Sequence, residues 1–198
     1  MEELPVAITF EPAHPIDNDE IAELSRRNPT LRFERTSKGA LIVAPPTGSM
    51  TGIRNGELFR QLAEWNRRTK LGYAFDSSTG FTLPNGALYA ADAAWIARDR
   101  WERLNPEERE GYAPLCPDVV FELRSKSDRI ADLLHKLHEY REAGARLAVL
   151  VDPYQQTLDL LFPGEERRTH TKPVTQTFVS ANGIDPLPGF ALDLRLIF

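Results

Sequence analysis

The chain has 198 residues, 41% hydrophobic and 27% charged, which is typical of one globular domain, residues 1–198, with little room for a second. A single cysteine, Cys116, excludes an internal disulfide or a zinc site of several thiolates, and no signal peptide or apolar stretch of roughly 20 residues is visible, so we expect a cytoplasmic protein. The net charge of −5 argues against a dedicated nucleic-acid binder with a basic face, but it does not exclude an enzyme that acts on DNA.

The first half of the chain alternates between helical and strand patterns. The predicted elements, in order, are a helix at 17–28, a hairpin of 31–36 and 40–44, a helix at 49–70, a strand pair of 72–76 and 80–83, and a strand at 92–97. Asp17 or Asn18 is expected to cap the first helix. Leu58, Leu62 and Trp65 recur at helical spacing and predict the buried stripe of the second helix.

The second half predicts a strand, a helix and a strand that form a crossover. The predicted elements are helical or irregular structure at 98–110, a buried strand at 119–123, a helix at 127–143, strands at 147–151 and 157–162, and a short strand at 190–194. Asp128 is expected to cap the long helix and Gly144 to end it. Because strand–helix–strand crossovers join parallel strands, the sheet should be mixed and the fold class α/β, with an α+β arrangement of N-terminal helices and hairpin.

Glu122 stands in an apolar strand, where a carboxylate without a partner would cost several kcal/mol. The simplest interpretation is an ion pair with Arg124, which points to the same side of the strand. However, Asp92 begins another apolar strand, and two acids at the ends of two strands could meet at one edge of a sheet. There they would bind a hard cation such as Mg²⁺ through oxygen atoms, with water and phosphate as the remaining ligands.

Lys136 is the third candidate residue. In the predicted helix at 127–143 it flanks the apolar stripe, so its stem could run along the sheet and carry its ammonium to the strand ends. A lysine whose charge simply reaches solvent is the alternative. Local basic groups could contact phosphates or could be solvated helix ends; these groups are Arg26 and Arg27, Arg67, Arg68 and Lys70, and Arg98, Arg100 and Arg103.

Five segments carry a resemblance to a known family. They are APPTGSMTGIRNGELFRQLAEWN, FDSSTGFTLPNGALYAADAAWIARDRW, CPDVVFELRSKSD, KLHEYREAGARLAVLVDP and LPGFALDL. In order, spacing and length the sequence from about Leu41 to Phe198 resembles the Uma-type family of bacterial proteins, which are assigned as endonucleases of the restriction-endonuclease-like PD-(D/E)XK superfamily.

The resemblance implies a nuclease core in which Asp92 and Glu122 hold the metal. The superfamily's usual lysine, two residues after the glutamate, is here Arg124, and the family's lysine comes from the following helix, which points to Lys136. Glu57 matches an acidic residue that often joins such sites. Ala91 stands where many relatives have proline before the aspartate.

The expected function is therefore hydrolysis of DNA phosphodiesters with Mg²⁺ or Mn²⁺. Arg124 would contact a phosphate oxygen or brace Glu122. A homodimer is expected, because cutting both strands requires two sites. Two alternatives stay open: a non-catalytic binding or structural protein that keeps the fold, and a metal-dependent phosphoesterase for small substrates.

Overall fold

The computed structural model describes residues 7–198 of the predicted domain 1–198. Its helices are α1 (Asn18–Arg27), α2 (Ser49–Thr69), α3 (Arg98–Trp101), α4 (Pro106–Glu110) and α5 (Ile130–Glu142). Its strands are β1 (Ile8–Phe10), β2 (Arg32–Arg35), β3 (Leu41–Ala44), β4 (Gly72–Asp76), β5 (Phe81–Thr82), β6 (Leu88–Tyr89), β7 (Ala93–Ala97), β8 (Val119–Leu123), β9 (Leu147–Asp152), β10 (Thr157–Leu161), β11 (Arg168–Thr171), β12 (Thr175–Thr177) and β13 (Ala191–Asp193).

An antiparallel sheet holds the N-terminal part of the described chain, with strand order β1-β3-β2-β6-β5. The predicted hairpin is confirmed as β2 and β3. The predicted cap of α1 is also confirmed, because Asp17 and Glu20 form a reciprocal capping box that satisfies backbone N–H groups at the start of the helix. Helix α1 buries Ile21 against this sheet, together with Phe33 and Leu41.

A six-stranded mixed sheet forms the centre of the molecule, with strand order β11-β10-β9-β8-β7-β4. Strands β8 and β9 are parallel and are joined through α5, whereas the other neighbouring pairs are antiparallel. The predicted crossover, the mixed sheet and the α/β class are therefore confirmed.

The two faces of this sheet pack against different elements. Phe121 points to the face covered by α2, where Leu58, Leu62 and Trp65 are buried as predicted. Val120 points to the other face, where α5 packs with its buried Leu137 and Tyr140. Because side chains alternate along a strand, Glu122 shares the α5 face with Val120, and this determines which helix can reach it.

Two local predictions are wrong. Residues 72–76 and 80–83 do not pair with each other: β4 pairs with β7, and β5 pairs with β6 in the other sheet. The Asp76 carboxylate accepts bonds from the backbone and hydroxyl of Ser78, and the turn carries the chain away to the second sheet. Asp128 does not cap α5, because its carboxylate accepts the Ser125 N–H at 2.7 Å and Arg129 occupies the N-cap position.

Within residues 7–198, no helix is long and apolar enough to cross a membrane.

Candidate active site

Asp92 and Glu122 lie side by side at the end of two antiparallel strands. Ala93 of β7 is paired with Phe121 of β8, which places Asp92, just before β7, beside the last residues of β8. Oδ2 of Asp92 accepts the backbone N–H of Leu123 at 2.7 Å, and Oδ1 accepts the Asn55 side-chain amide at 3.1 Å. These two bonds hold the Asp92 carboxylate in one orientation, next to Glu122.

Lys136 reaches the same place from α5. Its Nζ lies 2.8 Å from Oε1 of Glu122, and it donates hydrogen bonds to the Ala90 carbonyl at 2.9 Å and to Oε1 of Glu34 at 3.0 Å. The side chain is 11% exposed, so its ammonium is held inside the protein and does not extend into solvent. The structure thus brings three of the predicted residues together, at positions consistent with the sequence-based expectation.

Glu34 is a member of this cluster that the sequence analysis missed. It is buried in β2, accepts the Ala90 N–H at 3.0 Å and Lys136, and lies 3.7 Å from the Arg32 guanidinium. Its strand belongs to the other sheet, so no local pattern relates it to Lys136. Asn55 was also missed, although it lies inside a segment that carried the family resemblance.

The cluster contains three acidic and two basic side chains: Asp92, Glu122 and Glu34 face Lys136 and Arg32. Burial, with repulsion from Asp92 and Glu34, raises the pKa of Glu122 to about 8, although Lys136 opposes this shift. Burial also raises the pKa of Asp92. Burial alone would lower the pKa of Lys136, but the carboxylates of Glu122 and Glu34 outweigh it, so that the Lys136 pKa is raised and the ammonium is kept.

The Asp92 and Glu122 pair fits a hard divalent cation as a site with two protein carboxylates. Oε1 of Glu122 is buried and has no partner among residues 7–198 besides the Lys136 ammonium at 2.8 Å, and the Asp92 residue is only partly buried. No group of three or more His, Cys, Asp or Glu side chains in that same range is arranged to hold a metal ion. Water and phosphate oxygens would therefore have to complete the coordination, as Mg²⁺ commonly requires.

Glu57 lies on the other side of the sheet and makes no contact with this pair. It forms an ion pair with Arg60 at 2.7 Å and accepts a bond from Gln61 at 3.0 Å, and Arg60 lowers the pKa of Glu57. Helix residues two positions apart point in directions about 200° apart, so when Asn55 faces Asp92, Glu57 faces away. The expectation that Glu57 joins the site is not met in this structure.

Arg124 does not pair with Glu122. Its guanidinium binds Oδ2 of Asp152 at 2.9 Å and lies over the Tyr154 ring, with its central carbon 5.7 Å from the ring centroid. It therefore connects the ends of β8 and β9. Lys136 takes the position beside Glu122 that the simplest sequence interpretation assigned to Arg124.

A mixed sheet with paired acids and a lysine at adjoining strand ends is the arrangement of the restriction-endonuclease-like class. A model of the Uma2 family, described as "Putative restriction endonuclease", matches residues 19–195. The chain belongs to this family, as its resemblance in sequence indicated.

The fold is similar to that of a solved protein described as a putative nuclease of DUF820 from Anabaena variabilis. The two structures align with a TM-score of 0.72 at 19% identity, over 92% of this chain and 98% of the other. No curated protein matches the chain. At this level of identity the structural likeness establishes the fold alone.

Proposed function

We propose that the protein is a metal-dependent endonuclease that hydrolyses phosphodiester bonds in DNA. The observation that carries the proposal is the contact of 2.8 Å between Lys136 and Glu122, beside Asp92, in a chain of the Uma2 family. Without a further positive charge, burial and the neighbouring acids keep Glu122 largely protonated near neutral pH, with its pKa raised to about 8, whereas a cation bound between the two acids would let both of them ionise.

Asp92 and Glu122 are the residues that would hold Mg²⁺ or Mn²⁺. When bound, the cation supplies Lewis-acid polarisation of a phosphate oxygen and a water of lowered pKa. Asn55 and the Leu123 N–H orient the Asp92 carboxylate, and fixed ligands of this kind avoid the cost of reorganisation during the reaction.

Lys136 is the proposed electrostatic catalyst. Its ammonium can stabilise negative charge that develops on the phosphorus oxygens, or orient the attacking water. Glu34 is a positioning residue, because its carboxylate and the Ala90 carbonyl hold the ammonium. Burial would by itself raise the pKa of Glu34, but Lys136 and Arg32 outweigh it and lower that pKa, so Glu34 stays charged.

Arg124 and Glu57 take structural roles in this proposal. Arg124 braces the ends of two strands through Asp152, and Glu57 pairs with Arg60 along α2. Neither makes a contact, among the described residues, that would bring it to the scissile phosphate.

The proposal is tested with a supercoiled plasmid, incubated with Mg²⁺ or Mn²⁺ and in parallel with EDTA. We expect nicked or linear DNA only with the metal, and a loss of more than about 100-fold for Asp92→Asn and Lys136→Gln. Retained folding of both variants is checked by their melting curves. Equal cleavage by wild type and Asp92→Asn would point to a contaminating nuclease and overturn the proposal.

A homodimer acting in the cytoplasm completes the proposal. Two sites are needed to cut both strands, so a dimer should produce linear plasmid early, whereas a monomer should first accumulate nicked circles. Sedimentation at the concentrations used for cleavage gives the oligomeric state directly. The buried, unpaired Cys116 suits a reducing compartment.

A non-catalytic protein with the same fold is the second candidate. Two observations favour it. Each oxygen of the Asp92 carboxylate already accepts a hydrogen bond from the protein, and Arg124 is held in an ion pair with Asp152 away from Glu122. Titration of Mn²⁺ by calorimetry separates the two candidates. Metal binding that disappears in Glu122→Gln supports the nuclease, and absence of binding by wild type supports the second candidate.

A further inference from the structure

Five of the eight basic groups that the sequence offered for contact with DNA form ion pairs with nearby acids. The ion pairs are Arg26 and Arg27 with Glu23, Arg98 with Glu102, Arg103 with Asp99, and Arg100 with Asp118. Such pairs have little free charge to offer a phosphate. Arg67, Arg68 and Lys70 form no ion pair within residues 7–198, but they lie at the C-terminal end of α2, about 20 Å along the helix from Asn55. In a chain of net charge −5, binding of DNA at the paired acids therefore calls for an uncompensated cation closer to them.

Arg54 is such a cation, without an acidic partner among residues 7–198. Its guanidinium carbon lies 5.4 Å from the centroid of the Tyr154 ring, and within residues 7–198 its side chain makes no hydrogen bond or ion pair. An arginine stacked on an aromatic ring keeps its N–H groups available at the edge. The Tyr154 ring, in a residue that is 44% exposed, thus holds an uncompensated charge near the surface.

The turn that carries Tyr154 is held in place by Asp152. Oδ1 of Asp152 accepts the backbone N–H groups of Tyr154 at 2.9 Å and Gln155 at 3.0 Å, while Oδ2 binds Arg124 at 2.9 Å. The side chain of Asp152 is 3% exposed. Arg124 in turn lies over the same Tyr154 ring, so the ring is positioned by a buried network and is not a free surface side chain.

This cluster of Arg54, Tyr154 and Arg124 adjoins the paired acids. The residue after Arg54 is Asn55, which binds Asp92, and Arg124 comes two residues after Glu122. The start of α2 at Ser49 lies less than two turns before Asn55, and its N-cap, Gly48, provides no side-chain bond to the helix N–H groups. The helix dipole therefore adds to the attraction of an anion at this end.

We propose that Arg54, held in place by the Tyr154 ring and by Arg124 behind it, forms a phosphate-binding subsite that contacts the DNA backbone beside the phosphodiester that is cut. The proposal rests on the proposed nuclease function and adds the place where the substrate is held. Arg54 makes the contact, the Tyr154 ring orients it, and Arg124, which is bound to Asp152, mainly supports the ring. This local positive charge explains how a net acidic chain could hold DNA.

The test measures binding of a fluorescent duplex oligonucleotide with Ca²⁺ in place of Mg²⁺, over a range of salt concentrations. For Arg54→Ala we expect binding about tenfold weaker near 0.1 M salt and a log–log salt slope shallower by about 0.9, the value for one lost phosphate contact. Tyr154→Phe keeps the ring and should bind like wild type, whereas Tyr154→Ala should weaken binding about threefold, because the guanidinium is no longer oriented.

Arg67→Ala is the matched control, because Arg67 is exposed on the same helix about 20 Å from Arg54. It should leave the salt slope unchanged. If wild type binds and cuts DNA but Arg54→Ala behaves like Arg67→Ala, the subsite is wrong and the nuclease proposal stands. If wild type neither binds duplex DNA at low salt nor cuts it with Mg²⁺, the proposed function fails and this subsite fails with it.

Discussion

The two ends of strand β8 each carry a buried acid on the same face of the sheet, but the two acids have different partners. Asp118, just before the strand, pairs with Arg100 at 2.9 Å and accepts the Ala97 N–H at 2.8 Å. Glu122, near the other end, has no partner for its Oε1 among the described residues besides the Lys136 ammonium at 2.8 Å. Their side chains are 2% and 3% exposed.

Burial of a carboxylate therefore does not by itself mark a functional site. Asp118 has Arg100 as its cation and the Ala97 N–H as its hydrogen-bond donor, so both its charge and its hydrogen-bonding capacity are satisfied within the fold. Glu122 shares Lys136 with Glu34 and stands beside Asp92, so the fold does not balance its charge and its pKa is raised to about 8. The two acids therefore differ in whether the fold supplies enough partners for their charge. Replacing each acid by its amide, and measuring stability and cleavage, tests this difference.

Glu122→Gln should give the largest effect, on activity. We expect Mg²⁺-dependent cleavage to fall by more than about 100-fold. The melting temperature of the metal-free protein should stay equal or rise, because the raised pKa of Glu122, about 8, leaves its side chain largely neutral near pH 7, and Lys136 keeps Glu34 as its partner. Plasmid cleavage and thermal unfolding in EDTA measure the two quantities. Active protein with a much lower melting temperature would mean that Glu122 is a structural partner like Asp118.

Asp118→Asn should give the opposite pattern. The amide can still accept the Ala97 N–H, but the charge that pairs with Arg100 is lost. Breaking a buried pair is strongly destabilising, and the partial exposure of Arg100 reduces the cost, so we expect a loss of about 2 kcal/mol. Thermal unfolding should show a fall of roughly 6 °C with cleavage at 25 °C unchanged. An unaltered melting temperature would remove the contrast between the two ends of β8.

The pH dependence of stability should separate the two acids further. The folded-state pKa of Glu122 is raised from 4.5 to about 8, so folded protein holds this proton more tightly than unfolded protein. Its contribution to stability is complete below pH 4.5 and is lost as pH rises through about 8. In EDTA, the stability of Glu122→Gln relative to wild type should therefore increase by about 1 kcal/mol or more between pH 5 and 8.

Chemical denaturation at several pH values measures this difference, and Asp118→Asn serves as the comparison at each pH. A constant difference between Glu122→Gln and wild type across that range would show that Glu122 is ionised throughout.

Glu57→Gln should give the smallest effect. The new amide oxygen would keep the bond from Gln61, and only an ion pair whose partner Arg60 is 56% exposed would be lost. We therefore expect cleavage within about twofold of wild type and little change in melting temperature. A loss of cleavage as large as that of Glu122→Gln would place Glu57 in the site and show that α2 moves when substrate binds.

The sequence by itself determined the α5 crossover and the buried strands, and it supplied most of the residues of the candidate site. Those features follow from local periodicity: Val119 to Leu123 is apolar except for Glu122, and the spacing of Leu137 and Tyr140 defines one helical face. The sequence indicated that Asp92 and Glu122 could meet, because acids at two strand ends can share one edge of a sheet, but the antiparallel pairing of β7 with β8 that places them side by side came from the structure. Lys136 was expected because it flanks the buried face of its helix.

Only the tertiary structure decided which side chains meet. Glu34 comes from a strand of the other sheet. The rotation of α2 about its axis directs Asn55, and not Glu57, toward Asp92. The β4 strand pairs with β7 and not with its neighbour in sequence. Arg124 turns to Asp152 because β9 lies parallel to β8. Contacts of this kind depend on how separate elements pack, and the local pattern of a sequence contains no signal for the packing partner.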